Sequence, residues 1–188
     1  MEMESYKEVC CTEDSNDNIK EIIGNEIVLM SPVHYVHNLI MGNVYRAFYS
    51  KLKDKKCKVF QDTVAYDLSD LDNNLGGKGK FVSPDVSVVC NPSFSGALIK
   101  SYPSLVIEIL SPKTAIRDLT TKKELYASMG IRDYLIIGRD GNVEHYYLVN
   151  GKYREPRIIT RENSFISSVI DNVEIKYDEV YEGVLDLL

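Results

Sequence analysis

Leu105-Val-Ile-Glu-Ile-Leu110, closed by Ser111-Pro112, is the stretch on which the architecture of this chain turns. Aliphatic side chains without a polar alternation mark a strand covered on both faces, and the Ser-Pro pair ends it. Glu108 sits in the middle of that run. A glutamate is almost never fully buried unless it is paired or bound to a metal, because desolvating a lone carboxylate costs several kcal/mol or shifts its pKa. Glu108 therefore faces solvent on a one-sided strand, pairs with a lysine for structural reasons, or belongs to a site.

Working outward, Val86-Ser-Val-Val-Cys90 is the other strong strand, and Ser83-Pro84-Asp85 leads into it. Pro-Asp is a turn signal in its own right. Two carboxylates on neighbouring strands could also converge on one divalent cation, since Mg²⁺ typically takes one or two carboxylates and leaves the rest of its shell to water and phosphate. Downstream, residues 117–129 read as a helix ending at Gly130. Counting 100° per residue from Leu119 puts Lys122 at about 300°, between Tyr126 at about 340° and Met129 at about 280°. Lys122 thus points at the sheet, and Lys123, at about 40°, lies at the margin. An inward lysine needs an anion, and Glu108 is the nearest candidate in chain order.

The remaining pattern is that of one mixed sheet in an α/β or α+β domain. A strand at residues 26–30 precedes a helix at residues 34–53, whose apolar positions recur every three or four residues. Residues 58–66 read as one strand and residues 70–80 as a Gly- and Asn-rich loop. Strands at residues 134–137, 143–149 and 153–159 are joined by Arg139-Asp-Gly-Asn142 and Asn150-Gly151, both hairpin signals. Pro156 puts the last strand at an edge. Residues 177–188 close with a short amphipathic helix.

Composition narrows the class. The 188 residues carry a formal charge of −6, with 44% hydrophobic and 27% charged residues, which suits one globular domain and excludes bulk disorder. Residues 1–18 hold Glu2, Glu4, Glu8, Glu13, Asp14 and Asp17 against Lys7 alone, so nearly all the net charge lies in an acidic, mobile leader and the body from residue 19 is close to neutral. No apolar run is long enough for a membrane helix, and a basic-then-apolar signal pattern is missing. Cys10, Cys11, Cys57 and Cys90 show neither zinc spacing nor a disulfide framework, so a reducing cytoplasm is expected.

Pro84-Asp85, Glu108-Ile-Leu-Ser-Pro112, Arg117-Asp-Leu-Thr-Thr-Lys122-Lys-Glu-Leu-Tyr126 and Gly130-Ile-Arg-Asp-Tyr134 occur in this order and spacing. Together they resemble the Uma-type endonuclease-like family of the PD-(D/E)XK nuclease superfamily. Gly24-Asn-Glu26, Met30-Ser-Pro32, His37 and the stretch from Val173 to Tyr181 extend the likeness over most of the chain after residue 20. The resemblance implies a restriction-endonuclease-like fold, a mixed central sheet flanked by helices, and a metal-dependent hydrolase cutting phosphodiester bonds, DNA foremost. It implies Asp85, Glu108 and the Ile109 backbone carbonyl as ligands of Mg²⁺ or Mn²⁺, Lys122 as the catalytic lysine and Glu26 as a further acid. Tyr126 and His37 match supporting positions. Leu110 stands where the superfamily places its lysine, which is consistent with that lysine having moved to Lys122 on the helix. Gly138 and Leu135 also depart from relatives, which often carry Asp-Pro after that strand and a tryptophan within it.

The other reading is a catalytically silent, nuclease-like module that binds nucleic acid or regulates. An acidic chain without an obvious basic stripe favours it; the intact Asp85, Glu108 and Lys122 set opposes it. No membrane partner is expected, and a homodimer would suit cutting both strands. His34 and His37 could share a metal, but no third ligand is evident and ordinary helix roles are the preferred reading. His145, in a hairpin strand, has no chemical role by sequence.

Overall fold

The computed structural model describes residues 20–23, 26–29, 34–68, 81–112 and 115–187, with side chains from residue 34 onward. The acidic leader and the loop at residues 70–80 lie outside the described residues.

In chain order, β1 (Lys20–Ile23) pairs with β2 (Glu26–Leu29), and α1 (Tyr35–Leu52) follows. Next come β3 (Cys57–Gln61), β4 (Tyr66–Asp67), β5 (Phe81–Val82), β6 (Val86–Cys90), β7 (Phe94–Ser95), β8 (Leu98–Ile99) and β9 (Leu105–Ile109). A helical segment then runs through α2 (Ala115–Arg117), a π-helical turn (Asp118–Lys122) and α3 (Lys123–Ser128). The C-terminal part holds β10 (Asp133–Ile137), β11 (Val143–Val149), β12 (Lys152–Tyr153), β13 (Arg157–Ile158), β14 (Ser164–Ile166), β15 (Glu174–Lys176) and α4 (Tyr177–Val180).

The central sheet has the order β12-β11-β10-β9-β6-β3, with β13 added to β11. β9 and β10 are parallel, whereas β3–β6, β6–β9 and β10–β11 are antiparallel, so the sheet is mixed as expected. A second sheet runs β2-β1-β5-β4-β8-β7. All five residues of β9 are buried. Its period-two alternation sends Leu105, Ile107 and Ile109 into the core under α1 and Val106 into the core under α3. Glu108 shares the Val106 face, where the helical segment after β9 covers it.

Several elements depart from the pattern reading. Residues 58–66 are not one strand: the chain turns at Thr63, whose φ is 73°, so β3 joins the central sheet and β4 the second sheet. Residues 153–159 divide into β12 and β13 around Pro156, which cannot donate to a ladder. The terminal helix is shorter than expected, covering Tyr177–Val180 before a 3₁₀ turn at Leu185–Leu187. Cys57 and Cys90 are cross-strand partners of β3 and β6 and are disulfide-bonded, contrary to the expectation from cysteine spacing. Among the described residues, no helix is long and apolar enough to cross a membrane.

Candidate active site

The antiparallel register of β6 and β9 pairs Val86 with Ile107, which brings Asp85, just before β6, beside Glu108. The Asp85 amide nitrogen lies 3.4 Å from Glu108 Oε2. The Ile109 N–H donates to Asp85 Oδ2 at 2.7 Å. On the same oxygen, His37 Nε2 makes a 3.1 Å contact from the first turn of α1. Asp85 is therefore held from both sides, by the strand that carries Glu108 and by the helix that covers it.

Glu108 is 1% exposed and Lys122 3%. Lys122 Nζ donates to Glu108 Oε1 at 3.0 Å, and Tyr126 Oη donates to the same oxygen at 2.5 Å. Two donors on Oε1 account for a charged side chain inside an apolar strand, because each offsets part of the lost hydration. Lys122 Nζ also lies 3.8 Å from Asp118 Oδ1, four residues earlier. Asp118 and Lys122 bound the π-helical turn, in which the Thr120 hydroxyl donates back to the Ile116 carbonyl at 2.6 Å. Such turns recur at functional sites because they re-aim side chains that a regular helix would space differently. Here the turn buries both an acid and a base against β9.

The electrostatics of the rim follow from the carboxylates. Burial alone would lower the His37 pKa, but the hydrogen bond and charge of Asp85, with help from Asp62, raise it overall. The Asp62 carboxyl is raised by burial and by the neighbouring Asp85 charge. Arg139 opposes protonation of His37, so its charge reaches this site from the turn after β10. That turn is pinned: Tyr181 Oη donates to the Gly138 carbonyl at 2.6 Å and Tyr177 Oη to the Gly141 carbonyl at 2.9 Å.

The structure thus gathers Asp85, Glu108, the Ile109 backbone, Lys122, Tyr126 and His37. Glu26 lies in β2, and its side chain is outside the described residues. His34 caps α1 through Nδ1, which accepts from the Val36 N–H at 3.3 Å, and has no part in the site. His145 hydrogen-bonds buried Asp133 at 3.0 Å. Sequence reasoning missed Asp118, Asp62 and Arg139. The helical count that turned Lys122 inward also puts Asp118 at about 260°, so the signal for that residue was present.

No group of three His, Cys, Asp or Glu side chains able to hold a metal occurs among the described residues. Two adjacent carboxylates nevertheless suit a hard cation that keeps most of its waters, so the donor set fits Mg²⁺ or Mn²⁺ better than zinc.

The family model Uma2, described as "Putative restriction endonuclease", matches residues 3–176. A Synechocystis sp. protein, slr1290, described as uncharacterized, is 29% identical over 119 residues, a match spanning 62% of this chain and 59% of that protein. The crystal structure of "a putative nuclease belonging to DUF820" from Anabaena variabilis superposes with a TM-score of 0.71 at 16% identity, covering 90% of this chain and 93% of that one. That likeness is one of fold.

Proposed function

Because the chain belongs to the Uma2 family, we propose that it is a divalent-metal-dependent endonuclease that hydrolyses phosphodiester bonds, with DNA as the substrate. The observation that carries this reading is the placement of Asp85 beside Glu108, with Lys122 on the Glu108 carboxylate at 3.0 Å. Asp85, Glu108 and the Ile109 carbonyl would hold Mg²⁺ or Mn²⁺. When bound, such an ion polarises a phosphate oxygen and lowers the pKa of its water.

The protein's own groups have separable tasks. His37 and the Ile109 N–H fix the Asp85 carboxylate, while Tyr126 and Lys122 fix Glu108 through Oε1. Lys122 supplies positive charge where charge develops on the phosphate, and Asp118 orients its ammonium. Glu26 would add an acid from β2. Arg139 makes no hydrogen bond or ion pair with a described residue and suits a second phosphate of the substrate.

Nicking of supercoiled plasmid tests the proposal. Activity should require Mg²⁺ or Mn²⁺, vanish in EDTA and be lost in Asp85→Asn; undiminished cleavage by chelator-treated protein would sink it. The silent-module alternative draws on one observation, the burial of Lys122 between Glu108 and Asp118. Binding of DNA without metal-dependent nicking would select it.

A further inference from the structure

Lys51-Leu-Lys-Asp-Lys-Lys-Cys-Lys58 concentrates five lysines in eight residues of a chain whose formal charge is −6. It spans the C-terminal end of α1 and the start of β3. Lys51 is occupied by Glu179 at 2.5 Å. Lys53, Lys55, Lys56 and Lys58 are exposed and form no ion pair with any described residue; Lys55 and Lys58 donate only to the backbone carbonyls of Asp171 and Lys55. The helix C-terminus attracts cations over its last turn, which accounts for Lys51 but not for the lysines beyond the helix.

We propose that Lys53, Lys55, Lys56 and Lys58 form a contact surface for the phosphate backbone of nucleic acid, away from the point of cleavage. The inference rests on the nuclease reading above and assigns it a second contact region. His37 and Lys53 stand at opposite ends of α1, and sixteen residues at 1.5 Å each separate them by about 24 Å. At 3.4 Å per nucleotide, that offset corresponds to roughly seven base pairs of flanking duplex. The site gains from such help: four carboxylates, Asp62, Asp85, Glu108 and Asp118, stand there against Lys122, His37 and the charge of Arg139, so without a bound metal it does not favour a polyanion. The lysines attract one.

The test is binding in EDTA of a labelled duplex of about 30 base pairs, long enough to span the offset, over about 50 to 200 mM salt. The protein compared with wild type carries Lys53→Gln, Lys55→Gln, Lys56→Gln and Lys58→Gln, with Lys51 and Cys57 left in place. Loss of four phosphate contacts should shrink the slope of log affinity against log salt by about 3 to 4 and weaken binding on the order of tenfold or more. A control variant, Lys152→Gln, Arg154→Gln and Arg157→Gln, should change less per charge removed. An unchanged slope in the lysine variant overturns the surface, as does an equal loss per charge in the control. Retention of wild type but not the variant on phosphatidylserine vesicles, with equal DNA binding, also overturns it by assigning the lysines to a membrane. The measurement needs no cleavage, so lysine-dependent binding without nicking defeats the hydrolase reading and leaves this one standing. If the fourfold variant melts low, Lys53→Gln with Lys56→Gln should remove about half the slope change, because neither side chain has a hydrogen-bond or ion-pair partner among the described residues.

Discussion

The Ile109 N–H donates to Asp85 Oδ2 at 2.7 Å, so the strand that carries Glu108 also aims the second carboxylate of the site. Asp85→Asn keeps an oxygen for that N–H and loses the charge. It should abolish metal-dependent nicking while costing about 1 kcal/mol of stability, the difference between a charged and a neutral acceptor. Asp85→Ala should abolish nicking too, but it strands the buried Ile109 N–H and lower the melting temperature much further, because each unsatisfied group costs about 1–3 kcal/mol. Thermal melts and titration with Mn²⁺ on both variants check this pair. A nicking-competent Asp85→Asn protein would refute the assignment.

Lys122 and Lys123 differ in what they leave behind when removed. Lys122→Ala takes the ammonium away from two buried carboxylates, Glu108, which keeps its bond from Tyr126, and Asp118, and should destabilise by about 3–5 kcal/mol. Its loss of activity would therefore mix folding with chemistry. Lys122→Gln retains a donor toward Glu108, so it should melt closer to wild type while cleaving about 10²–10³-fold more slowly. The Lys123 ammonium sits 3.7 Å from the centre of the Tyr146 ring. The helical count places Lys123 at the margin, and this contact makes its removal cost about 0.5–1 kcal/mol. Cleavage should be unaffected. A Lys122→Gln enzyme with the wild-type rate would remove Lys122 from the mechanism.

What the amino-acid pattern could convey depended on range. β9, Glu108 and the inward Lys122 were legible because each rests on local periodicity and on the cost of burying a charge. The contact between His37 and Asp85 spans 48 positions and follows from packing that periodicity cannot report. Thr63 breaks residues 58–66 with a φ of 73° and without the Gly or Pro that usually announces such a turn. Arg139 was read only as part of a hairpin, since its approach to His37 depends on β10 lying next to β9. The lysines after α1 were hidden by net charge, which averages a basic patch against the acidic leader.

Cys57 and Cys90 close a loop across 33 positions. A cross-link of that span stabilises by about 3–4 kcal/mol if it acts by restricting the unfolded chain. Melting with and without reductant should therefore differ by several degrees, and Cys57→Ser should match the reduced protein. Identical melts would mean that the two cysteines are thiols under the conditions of the measurement.

Asp133 gives the fold a pH dependence of its own. Its carboxylate is fully buried and accepts from His145 Nε2 at 3.0 Å, Ser167 Oγ at 2.8 Å, and Ser168 N and Oγ at 2.9 and 2.7 Å. Burial alone would raise its pKa, but the hydrogen bonds from His145, Ser168 and Ser167 and the His145 charge lower it overall. A folded-state pKa below the unfolded one means that the folded protein favours the ionised form. The stabilisation is complete above the unfolded value, about 3.9, and is lost as the pH falls through the folded value. Wild type should therefore lose melting temperature steeply below about pH 4. Asp133→Asn should be less stable at neutral pH, because it trades charged hydrogen bonds for neutral ones, and its decline in acid should be shallower. The two melting curves should converge at low pH, where wild type has protonated the same carboxyl. Parallel curves would show that the Asp133 charge contributes nothing to holding residues 167 and 168 against the sheet.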